Sequence, residues 1–120
     1  MEAKLRNEDG DVVCERCTLA RDPYSRMRGL LGRGGLAEGE GLLLQPAGSI
    51  HTFFMRFAID AVFLDRSMRV LRVAENLRPW VPAVGAPRGS DSVLEVPAGT
   101  AARTGTQAGD EFILSEAPAR

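Results

Sequence analysis

This chain of 120 residues reads as a mainly β, compact, antiparallel domain of sandwich- or barrel-like form with one short helix. Three observations predict that class. Short apolar and β-branched runs recur along the chain, separated by turn residues. Only residues 23–31 space their apolar side chains as a helix would. Strands joined by short turns, without alternating helices, argue against a doubly wound fold.

Taken in order, residues 12–19 read as a strand following the turn signal Glu8-Asp9-Gly10, paired with residues 3–7 as a hairpin. In the helix, Asp22 is the N-cap candidate and Pro23 suits the first helical position, where its missing N–H costs nothing. Tyr24, Met27, Leu30 and Leu31 form the apolar stripe, and Gly32 can take the left-handed terminating conformation. Leu42-Leu43-Leu44 is a short buried strand. Residues 60–65 and 69–75 are two strands around the short loop Arg66-Ser67-Met68. Residues 76–91, with Pro79, Pro82, Pro87 and the only tryptophan, Trp80, form a long irregular connection of the kind that often covers a site. Residues 92–97 and 110–115 complete the strands, with a turn or single helical turn between Gly99 and Gly109. No repeat or linker divides the chain, so residues 1–120 are expected to form one domain.

Composition narrows the class. Apolar residues make up 44% and charged residues 26%, which are globular values. The formal net charge of −1 gives no basic footprint, so no nucleic-acid partner is expected. One lysine, Lys4, stands against fourteen arginines, but the arginines are scattered among Asp and Glu rather than gathered into a patch. No apolar run is long enough to span a membrane and the start of the chain is polar. A cytoplasmic monomer is therefore the expectation, with no membrane partner.

Cys14-Glu15-Arg16-Cys17 is a C-x-x-C, but it lies in a strand rather than at a helix start. Positions three apart on an unbroken strand point to opposite faces, so the two sulfurs should not chelate one ion. No second pair exists, and one histidine cannot complete a zinc set without carboxylates. Neither a metal nor a cofactor is expected. The Gly-rich stretch 29–41 matches no phosphate-binding fingerprint.

The segment from Ser49 to Asp65 is the most informative. It holds the only histidine, His51, beside Phe53, Phe54 and Met55, and sets Arg56 and Asp60 within apolar sequence. A buried charge must be paired or hydrogen-bonded. Arg56 and Asp60 lie on one face of an unbroken strand roughly 13 Å apart, so a direct pair needs a bend at Phe57-Ala58. Otherwise each satisfies loop backbone or another partner. His51 could serve as a general base, but no nucleophile elbow accompanies it.

Together these residues resemble a bacterial and archaeal family, domain of unknown function 192, also called uncharacterised protein family 0127. The resemblance rests on Arg26-Met27-Arg28-Gly29-Leu30-Leu31-Gly32-Arg33, Gly41-Leu42-Leu43-Leu44 and Ser49-Ile50-His51-Thr52. It continues through Met55-Arg56, Ile59-Asp60, Val93-Leu94-Glu95-Val96, Ala98-Gly99 and Gly109-Asp110. Ala58 stands where the family commonly has proline. The resemblance implies a compact, mostly β, sandwich-like domain and no particular reaction.

The leading functional expectation is a non-catalytic small-ligand-binding module. Phe53, Phe54, Met55 and Trp80 would wall an apolar pocket, with Arg28, His51, Arg56 and Asp60 orienting the ligand. The alternatives are a small hydrolase or transferase using His51 as base with Asp60 or Glu95 as its orienting acid, and a protein–protein adaptor built on Trp80 and Val81.

Overall fold

The architecture follows from alternation in the strands and bulges that redirect it. The computed structural model describes residues 2–22, 34–47, 50, 55–81 and 83–116. The strands are β1 (Glu2–Asn7), β2 (Val12–Ala20), β3 (Glu40–Leu44), β4 (Ile59–Leu64), β5 (Val70–Leu77), β6 (Ser92–Pro97) and β7 (Phe112–Glu116). The helix α1 covers Thr100–Thr104. The helix expected over 23–31 lies outside the described residues.

All seven strands belong to one sheet, ordered β5-β4-β6-β3-β2-β1-β7, which curls into a half-barrel. At one end its two edges meet, where Arg69 forms a bridge with Glu111 and an ion pair of 2.7 Å. The strands predicted from sequence are present with ends shifted by a few residues. One pairing departs from the antiparallel expectation: β2 and β3 run parallel, Arg16 opposite Glu40 through Ala20 opposite Leu44. Parallel neighbours need a long crossover, and residues 21–39 supply one.

Inside the curl lies the main core of Leu5, Val13, Cys14, Cys17, Leu43, Val62, Leu64, Val70, Leu94, Val96 and Phe112. The outer face of the central strands is also covered. Ile50 and Val84 pack there with Ala61, Phe63, Ala74 and Val93, while Met55 packs with Ala20, Leu42, Leu44 and Ile59. Burial on both sides explains why β4 is buried at all six positions instead of alternating. The long connection after β5 contributes this cover through the Ile50–Val84 bridge, with backbone bonds of 3.2 and 2.8 Å.

The cysteines correct a parity argument. Ala3 pairs with Cys17 and Leu5 with Cys14, so β2 uses three steps where β1 uses two. This bulge exposes both Glu15 and Arg16 and turns both cysteines into the same core. The strand is broken where the expectation assumed it continuous.

Candidate functional site

Strand pairing sorts the charged candidates onto two faces. Residues directly opposite across an antiparallel ladder share a face. Asp60 of β4 lies opposite Val96 of β6, and Val96 belongs to the inner core. Ala61 and Leu42 lie opposite Glu95, and both belong to the outer clusters. Asp60 and Glu95 are therefore adjacent in the sheet but directed to opposite sides.

Asp60 is fully buried, and its carboxylate is occupied by backbone. Oδ1 accepts from Asn76 N–H at 2.8 Å; Oδ2 accepts from Gly99 N–H at 3.1 Å and Ala101 N–H at 2.9 Å. Two local features deliver those donors. A bulge in β5 places Asn76 at φ 52, turning its N–H away from the ladder. The N-cap of α1 is Gly99, which has no side chain to cap the first turn, so Asp60 takes that role from another strand.

Arg56 is exposed, just before β4, and makes no ion pair with Asp60 among the described residues. The structural alternative weighed for Asp60, satisfaction of backbone, is the arrangement observed. Met55 is buried against Leu42, Leu44 and Ile59. Trp80 is 58% exposed and takes φ 69, a left-handed conformation unusual for a bulky residue. Arg28, His51, Phe53 and Phe54 lie outside the described residues.

Glu95 is the less expected member. It is 5% exposed, and no hydrogen bond or ion pair to its carboxyl is found among the described residues. Burial pushes that carboxyl from its ordinary 4.5 up to about 7. A group poised there can hold or release a proton near neutrality, which is the behaviour of functional carboxyls in apolar surroundings. Its sequence signal was a single charge inside the apolar run Val93-Leu94-Glu95-Val96. Of the two acids named as partners for His51, Asp60 is engaged by backbone, which leaves Glu95.

Among the described residues no group of three or more metal-ligating side chains occurs, and no helix is long and apolar enough to cross a membrane. A polar cleft of about 520 Å³ lies between Asp65, Ser67, Ser90 and Asp91, and none of the described candidates Met55, Arg56, Asp60 and Trp80 lines it.

Known proteins resemble this chain in sequence and fold. A curated UPF0127 protein of Thermococcus sibiricus is 32% identical over 115 residues, covering 90% of this chain and 71% of that protein. A crystal structure of a protein of unknown function from Novosphingobium aromaticivorans has TM-score 0.81 at 26% identity, covering 94% of this chain and 84% of that one. A crystal structure from Sinorhizobium meliloti gives the same TM-score and identity, covering 94% and 92%. The model of the DUF192 family, described as "Uncharacterized ACR", matches residues 4–114. The chain belongs to the domain of unknown function 192 family.

Proposed function

We propose that this protein is a non-catalytic module that binds a small, largely apolar molecule carrying one polar head group, on the outer face of the sheet around Glu95. The observation that supports it most is the buried Glu95 carboxyl between Leu42 and Ala61, without a partner among the described residues. A buried ionisable group costs stability unless it is paired, so a site that retains one gains most when a ligand supplies the partner. Met55 adds apolar wall on the same face, and exposed Arg56 follows it directly in the chain. Arg28, His51, Phe53 and Phe54 complete the proposed set on sequence grounds.

The test is a thermal-shift panel of small anions, apolar acids and apolar amines, with native mass spectrometry of freshly purified protein. A ligand that binds the folded state raises the melting temperature by mass action. Apolar amines should lose their shift in Glu95→Gln, and apolar acids should lose theirs in Arg56→Ala. A panel without any shift, and a native spectrum without any adduct, would refute the reading.

The adaptor reading has one observation in its favour, the exposure of Trp80. It predicts a pull-down partner or self-association that Trp80→Ala abolishes.

A further inference from the structure

Strand register fixes what surrounds the Glu95 side chain on the outer face. Leu42 and Ala61 stand beside it on the neighbouring strands, and Val93 and Pro97 are the next residues of β6 on that face. Leu42, Ala61 and Val93 are buried, whereas Pro97 is half-buried. Glu40, two residues before Leu42, is also half-buried and lies diagonally across from Glu95, roughly 7–8 Å away. The approach to the carboxyl is therefore from the Pro97–Glu40 side.

The charges on this face are unevenly shared. Arg72, opposite Phe63, is engaged elsewhere: its guanidinium lies 5.9 Å from the Phe63 ring centroid, and Nη1 donates to the Gly85 carbonyl oxygen at 2.9 Å. Asp60 is directed into the inner core, and Arg56 is exposed. The Glu40 carboxylate accepts from Ala37 N–H at 2.8 Å, and Arg16 stands opposite it on β2. His51 lies outside the described residues. An anionic head group at Glu95 would meet one carboxyl directly and a second acid diagonally, and like charges brought together are costly. A cationic one is attracted by both. An ammonium also carries three N–H donors, which a buried carboxylate needs.

We propose, resting on the Glu95 site inferred above, that its ligand is a primary amine with an apolar chain. It binds as the ammonium ion against the Glu95 carboxylate, with its chain against Leu42, Ala61 and Met55. Burial holds the unliganded carboxyl protonated up to about pH 7, so seating an ammonium ion sends one proton to solvent. Amine affinity therefore rises about tenfold per pH unit below about 7 and levels off above it.

Isothermal titration of the full chain with n-hexylamine, hexanoate and 1-hexanol, three head groups on one chain length, tests this. At pH about 7.5 the amine should bind at least about tenfold more tightly than the other two, the worth of a hydrogen bond to a charged group. At pH about 6, titrations in two buffers of different ionisation enthalpy should show about one proton released per amine bound. Glu95→Gln should lose both the preference and the proton release. Should that variant not fold, the wild-type proton count decides alone. Amine binding without proton release at pH about 6, or undiminished in Glu95→Gln, overturns the proposal. Hexanoate or hexanol binding more tightly than the amine overturns it and leaves an apolar site on this face standing. Binding of none of the three overturns the site and the proposal together.

Discussion

The carboxylate of Asp60 accepts the backbone N–H of Ala101 at 2.9 Å, tying the centre of the sheet to the first turn of α1 across 41 residues of chain. With the bonds from Gly99 and Asn76, one side chain fixes a helix start, a turn and a strand bulge. Asp60 is thus a structural centre on the inner face. Glu95, its neighbour across the ladder, is the ionisable group on the outer one.

Removing Asp60 should therefore damage the fold. Asp60→Ala leaves three inward backbone donors without an acceptor and should cost about 3 kcal/mol or more. Asp60→Asn keeps one acceptor oxygen and should cost less. Urea denaturation of both variants checks the order; equal stability of Asp60→Ala and wild type would contradict it.

Gly41 lies where β3 passes Cys14. A Cβ there would meet Cys14 Sγ at 2.7 Å, with the Glu95 carbonyl oxygen and Val96 Cγ1 at 3.1 Å. Gly41→Ala should destabilise by roughly 1–3 kcal/mol through overpacking. Combining it with Cys14→Ala should recover part of that loss, because the nearest clash disappears. Chemical denaturation of the four forms in a double-mutant cycle measures the coupling, and additive costs would be inconsistent with the contact.

Much of the fold was legible in sequence because its signals are local. Asp60-to-Asp65 and Ser92-to-Pro97 are apolar runs bounded by turn residues, and the strands formed there match to within a residue or two. What escaped depends on partners far along the chain. The parity argument for Cys14 and Cys17 failed because the bulge exists only in register with Ala3 and Leu5. The parallel β2–β3 pairing is equally nonlocal. Arg56 and Asp60 stood out as charges in apolar sequence, but only the β5 bulge and the Gly99 turn show what satisfies Asp60. Glu95 was visible as one charge in Val93-Leu94-Glu95-Val96, whereas its face follows from pairing with Ala61 and Leu42.

Glu95 also sets a pH dependence. Its folded-state pKa is raised to about 7 from an ordinary 4.5, so the folded protein holds a proton that the unfolded chain has released. The stabilisation is fully present below about 4.5 and is lost as pH rises through about 7, a change of about 3 kcal/mol. Glu95→Gln cannot titrate, so its stability should fall less than that of wild type between pH 5 and 8. Urea midpoints of both proteins across that range check it, and parallel curves would argue against a buried, protonated Glu95.

The most direct test is the titration of Glu95 itself, followed by carbon NMR of its side-chain carboxyl with Glu95→Gln used to assign the resonance. The account predicts a midpoint about 7, shifted by any apolar amine that raises the melting temperature. A midpoint near the ordinary 4.5, unmoved by every such compound, would contradict it.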